Sequence, residues 1–287
     1  MLRATSKLVM VVLLSTWLTT SAAAQEIRIG WTAWSDAEFV TMLTKRILEK
    51  HLDVQVETNQ MGVAFQYQGI AEGDIDLMLM SWQPNTHADY IEKTCTEIVN
   101  LGLLYTDARL GWVVPDYIPE GQLSSIKDLK SDKVRKRLDG RITGIDAGAG
   151  LTRLSKKTIE AYGLEDYELQ LSSGAGMTAA LARAIQREEW IVVTGWSPHW
   201  KFGAYDLRYL EDPKGALGGA ERVHAVARKG FYQEHMEIAR IIARIQIPID
   251  DLQEAMYTAR ETSYEKAVDQ YIANNQARID YWLTGDL

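Results

Sequence analysis

Cysteine is almost missing: the chain has one, Cys95, in 287 residues. A lone thiol excludes an internal disulfide, so the fold must rest on an ordinary apolar core. Positive charge is in deficit as well. Lys and Arg number 31 against 39 Asp and Glu, a formal net charge of -8 at pH 7, which disfavours a nucleic-acid partner because phosphates need clustered cations. Repeats and low-complexity tracts are absent. So are the usual signatures of catalysis: there is no nucleophile elbow, no pair of metal ligands at helical spacing and no competent dinucleotide loop. No catalytic residue, metal or cofactor is therefore expected. Phenylalanine is scarce at four, yet tryptophan stands at nine. That excess needs a reason beyond core filling.

Long apolar runs are confined to the start of the chain. Arg3 and Lys7 precede an apolar stretch from Leu8 to about Leu18, and Ala22-x-Ala24 closes it with small residues. The run is short for a membrane span. It reads as a secretory signal peptide over residues 1–24, cut after Ala24, with the periplasm as destination. No cysteine lies near the cut, which argues against a lipid-anchored form.

Beyond that segment, strand-like and helix-like patterns alternate. "EIRIGW" (26–31) reads as a strand. Residues 37–52 carry Phe39, Val40, Leu43, Ile47 and Leu48 on one helical face, with Asp36 where an N-cap would stand. "DVQVET" is a second strand, "VAFQYQGIAEG" a helix closed by Gly73, and "DIDLMLM" (74–80) a third strand. A second unit opens near residue 109 with the same alternation, and the tail from about residue 233 reads as helical. The β-α-β-α-β order implies two α/β lobes, each a sheet flanked by helices, with a cleft between them. The expected boundaries are 25–110 plus 225–287 for lobe 1 and 111–224 for lobe 2.

Ligands of open α/β sheets sit beyond the carboxyl ends of the strands. Tryptophan follows three of the four strands that matter: "GWTAW" with Trp31 and Trp34, "SWQPNTH" with Trp82 and His87, and "GWSPHW" with Trp196 and His199. Several indole faces around one point hold a cation without hydrogen-bond donors, at about 0.5–2 kcal/mol per good face. A bulky methylated ammonium is the natural guest. "DAGAGLTRLSKK" (146–157) supplies small residues ahead of a helix. The free N–H groups of a helix start attract an anion, although a plain tight turn reads the same way. Arg153 stands where a dinucleotide loop would need its third glycine. A cation cage and an anion seat together describe a zwitterion such as glycine betaine.

Those same stretches, "IRIGWTAWSDAEFV", "DLMLMSWQPNTHADY", "GIDAGAGLTRLS", "WIVVTGWSPHW" and "LGGAERVHAVARKGF", resemble the glycine betaine substrate-binding proteins of ABC importers, nearly end to end. The resemblance implies a type II periplasmic-binding-protein fold, a cleft ligand and a permease of the inner membrane as partner, with the binding protein a monomer. It implies an aromatic box of Trp34, Trp82 and Trp196, with His87 and the backbone of Gly150 and Leu151 on the carboxylate. Trp31, Trp112 and His199 are further candidates. Choline-binding relatives place a box aromatic at the position of Trp31 and carry an Asp two residues on, where this chain has Ala33. They also have an Asn in the Gly-rich turn, where this chain has small residues. Both departures favour a ligand with a carboxylate. Choline, carnitine and dimethylsulfoniopropionate remain alternative ligands, and a ligand-sensing receptor subunit or a hydrolase alternative classes.

Overall fold

The computed structural model describes residues 25–286. The expected signal peptide, 1–24, lies outside the described residues. The chain runs β1 (Gln25–Trp31), α1 (Ser35–His51), β2 (Val54–Gln60), α2 (Val63–Glu72), β3 (Leu77–Gln83), α3 (Ala88–Thr94) and the long β4 (Ile98–Pro115). A 3-10 turn at Ile126–Lys130 leads to α4 (Asp132–Arg137), β5 (Arg141–Thr143), α5 (Gly150–Tyr162), β6 (Glu168–Gln170) and α6 (Gly174–Gln186). Then come β7 (Val193–Ser197), α7 (Lys201–Ala204), β8 (Leu207–Tyr209) and β9 (Ala220–Arg228). The tail is helical: α8 (Phe231–Glu234), α9 (Met236–Arg244), α10 (Ile249–Glu261), α11 (Tyr264–Asn274) and α12 (Gln276–Thr284).

All the described strands join one mixed sheet in the order β2-β1-β3-β9-β4-β7-β5-β6, with β8 pairing β4. β1 pairs β2 and β3 in parallel, as the crossover helices require. β4 changes partner along its length. Ile98 to Arg109 pair antiparallel with β9, whereas Arg109 to Val113 pair with β7 and Val113 to Pro115 with β8. Arg109 and Ala220, paired to each other, therefore mark where the sheet passes from one half to the other. β9 pairs β4 only up to Arg109, and β7 takes over from there.

α1 packs on β1, β2 and β3, and is itself covered by α10 and α11. α9 and α10 lie against β4, and α5 and α6 against β7. β3 is buried from Leu77 through Trp82, so its sequence runs apolar without alternation. The strand begins three residues later than "DIDLMLM" implies. Gly73, at φ 85°, ends α2 in the left-handed conformation, and Asp74 and Ile75 still donate back to Gly69 O. Asp76 is held by Arg28 and Arg228, at 3.1 and 2.7 Å. Only then does the chain extend, and it carries on to Gln83. Trp82 is thus a strand residue, paired with Val223 of β9, and not the first residue of a loop.

Candidate functional site

A cleft with about 300 Å³ of empty space, its mouth included, lies where the carboxyl ends of β1, β3, β5 and β7 converge. Three indole rings line it: Trp34 at the start of α1, Trp82 at the end of β3 and Trp196 in β7. Thr86, His87, Ala149, Gly150 and Leu151 form the polar side, and Leu110 and Ile145 complete the wall.

Carboxylates orient two of the rings. Trp196 Nε1 donates to Asp36 Oδ1 at 3.0 Å, and Tyr105 OH donates to Asp36 Oδ2 at 2.8 Å. Tyr105 in turn stands edge-on to Trp82, centroids 6.4 Å apart. Trp34 Nε1 donates to Asp146 Oδ2 at 3.0 Å. Trp34 and Trp196 meet at 6.1 Å with planes tilted by 57°. A carboxylate on the indole N–H pushes electron density toward the ring and makes its face a better cation acceptor. Asp36 is fully buried. Burial raises its carboxyl above the usual range, against the opposing pull of the Tyr105 and Trp196 donors. The N-cap role read from the sequence falls to Trp34, the residue before the first turn, which offers no side-chain cap. Asp36 sits one residue inside the helix, aimed at the aromatic rings.

The polar side is built from two backbone segments. His87 N–H donates to Trp82 O at 3.0 Å, and Trp82 N–H donates to His87 Nδ1 at 3.2 Å. A backbone N–H can only donate, so Nδ1 is the lone-pair nitrogen and Nε2 carries the proton. Among the described residues that Nε2 is buried with no hydrogen-bond partner. Burial, and then the charge of Arg153, lower the imidazole pKa to about 3. The ring is a neutral donor facing a space that lacks an acceptor. Across from it, α5 starts at Gly150 with no side-chain cap. Its first intrahelical bond runs from Arg153 N to Ala149 O, which leaves the amides of the first turn free. The two segments touch: a Cβ on Gly150 would lie 2.1 Å from Thr86 O. Only glycine allows this approach.

The structure therefore brings Trp34, Trp82, Trp196, His87, Gly150 and Leu151 to one cleft. It leaves out the three further candidates. Trp31 is the last residue of β1; it is half-buried and absent from the lining. Trp112 is fully buried in β4 and donates to Ser155 Oγ at 3.0 Å, pinning α5 to the sheet. His199 lies behind Trp196, ring centroids 4.7 Å apart, and its Nδ1 accepts from Lys201 N–H. Sequence reasoning missed Thr86, Leu110, Ile145 and Ala149, and the holding roles of Asp36, Asp146 and Tyr105. For Thr86 a signal existed, since it adjoins His87 in the same strand-end loop.

The family described as the substrate binding domain of ABC-type glycine betaine transport systems matches residues 25–274. A glycine betaine/carnitine transport binding protein of Listeria monocytogenes is 33% identical over 198 residues, 68% of this chain; the match spans only 62% of that relative's length. A glycine betaine-binding periplasmic protein of Dickeya dadantii is 24% identical, over 87% of this chain and 86% of its own. Among solved structures, a lactococcal protein in its closed-liganded conformation with glycine betaine superposes with a TM-score of 0.84 at 32% identity, covering 91% of this chain and 100% of that one. A choline binding protein in complex with choline gives 0.83 at 25% identity, covering 91% and 92%.

Proposed function

Since the chain belongs to the family of substrate-binding domains of ABC-type glycine betaine transport systems, we propose that it captures glycine betaine in the cleft and hands it to a membrane permease without chemical turnover. The periplasm is the proposed compartment, in line with the periplasmic relatives; among the described residues no helix is long and apolar enough to cross a membrane. The protein acts as a monomer in this reading. Its two halves, 25–110 plus 225–287 and 111–224, move about the shared strands β4 and β9.

The carrying observation is the pairing of three indoles with a buried, partnerless N–H. The trimethylammonium sits among Trp34, Trp82 and Trp196, where desolvation strengthens each cation–π contact to about 2 kcal/mol. The carboxylate accepts from His87 Nε2–H, Thr86 Oγ and the first-turn amides of Gly150 and Leu151. Choline would leave that buried N–H set unpaired, a cost of about 1–3 kcal/mol per group, so glycine betaine is preferred over it. Calorimetry against glycine betaine, proline betaine, carnitine, dimethylsulfoniopropionate and choline tests this. Betaine should bind saturably and more tightly than choline, and Trp82→Ala should weaken it more than tenfold. Saturable choline binding with none for any betaine would overturn the assignment, and an unchanged Kd in Trp82→Ala would remove that ring from the cage.

A further inference from the structure

Behind Trp196 lies a feature that the binding reading does not use. Lys201, the first residue of α7, has none of its surface exposed. Its Nζ stands 4.5 Å from the centroid of the Trp196 ring and 4.9 Å from that of Phe202. Among the described residues Nζ makes one hydrogen bond, a long one of 3.4 Å to Trp196 O. Among the described residues, no carboxylate oxygen lies within 4.0 Å of it. Lys201 does not line the cleft, whereas Trp196 does. Trp196 thus touches both a buried amine and the cleft.

We propose that Lys201 is an affinity-setting residue that competes, through Trp196, with the quaternary ammonium, so that the cleft takes its cation when Lys201 is neutral and resists it when Lys201 is charged. This rests on the reading that Trp196 faces the ammonium. An indole ring has one quadrupole to share between its faces. A charged amine on one side draws its electron density away, and the two cations repel across a low-dielectric wall. Burial holds the lysine well below its ordinary pKa, against the pull of Asp36. The other titratable groups around it are His199 in the preceding loop, Tyr105 of β4 through Asp36, and Tyr264, close to Asp36 and bonded to Glu38. Arg260 of α10 lies over the neighbouring Trp200. The sign is fixed: a bound cation favours the neutral amine, so binding expels a proton wherever Lys201 is charged, and affinity rises with pH.

Calorimetry of glycine betaine between pH 5.5 and 9, in buffers of different ionisation enthalpy, reads both quantities. The ligand keeps its own charges over this range. The wild-type protein should release up to one proton per betaine at the acid end and gain about tenfold in affinity toward the alkaline end. Lys201→Met keeps the side-chain length without the charge. It should release none, and should bind at pH 5.5 as tightly as the wild type does at pH 9. Lys201→Gln serves if the methionine variant fails to fold. A wild-type affinity flat with pH, or a proton release that persists in the variant and so belongs to Asp36 or His199, overturns the proposal. Loss of all betaine binding by the wild type would instead overturn the ligand assignment on which it rests.

Discussion

At the scale of single residues, His87 has two consequences that separate cleanly. Its tautomer is dictated by the Trp82 amide, so it can serve an anion as a neutral donor. Its environment also makes it a stability liability in acid. The folded imidazole titrates at about 3, whereas an unfolded one titrates near 6.5. Below pH 6.5 the unfolded chain takes up a proton that the folded chain refuses, so this residue's contribution is intact above that pH and declines as pH falls toward 3. The decline is about 1.4 kcal/mol per pH unit. Urea unfolding of the unliganded protein should show His87→Gln losing stability less steeply than the wild type between pH 6 and 4, by roughly that slope. Identical slopes would mean that the ring is solvated. The sequence revealed His87 and the three cleft indoles, Trp34, Trp82 and Trp196, because each stands at or just past the end of an apolar strand. It concealed Asp36, whose place before a helical pattern invites the commoner N-cap reading. Lys201 was concealed more thoroughly, since a lysine after an aromatic reads as a solvated side chain and nothing local signals burial.

At the scale of elements, the start of α5 is the most demanding joint. Small residues at 147–150 were legible as a turn, but their reason is spatial and lies in another segment. Thr86 O occupies the place where a Gly150 side chain would stand. Gly150→Ala should fold, because the residue is helical and alanine suits a helix. It should nonetheless hold the Thr86 loop away from α5 and weaken betaine by a hundredfold or more. Thermal unfolding of the unliganded variant should stay within a few degrees of the wild type. A variant that binds normally would show that the two segments do not meet in the bound state. β3 carries the complementary lesson. Its apolar run was readable as a strand, but its register was not, because the salt bridges of Asp76 with Arg28 and Arg228 come from distant segments and delay its start.

For the whole molecule, the alternation of strands and helices made two α/β halves legible, while their fusion into one sheet was not. Only pairing shows that β4 runs through both, with β9 along its first part and β7 and β8 along its last. The halves also touch across the cleft. Tyr90 OH donates to Gly148 O at 2.8 Å, Arg153 Nη2 donates to Asn85 O at 2.8 Å, and Arg153 Nε lies 3.2 Å from Asp89. Two halves that share strands should unfold together. Calorimetric melting should give one transition, and betaine at a hundred times its Kd should add about 2.7 kcal/mol of stability. Two transitions, with only one moved by betaine, would mean that the shared strands do not couple the halves.

The indole bonds are reciprocal. Trp34, after β1, is held by Asp146, after β5; Trp196, in β7, is held by Asp36, at the start of α1. Each half thus lends a ring and receives one, and neither possesses a finished cage of its own. Under the proposed function, a ligand that arrives while the halves are apart would meet an unfinished set of rings. A departing one must wait for both bonds to let go. Affinity in such a design resides in residence time, and variants at Asp36 or Asp146 will be felt as faster escape, with the rate of capture nearly unchanged.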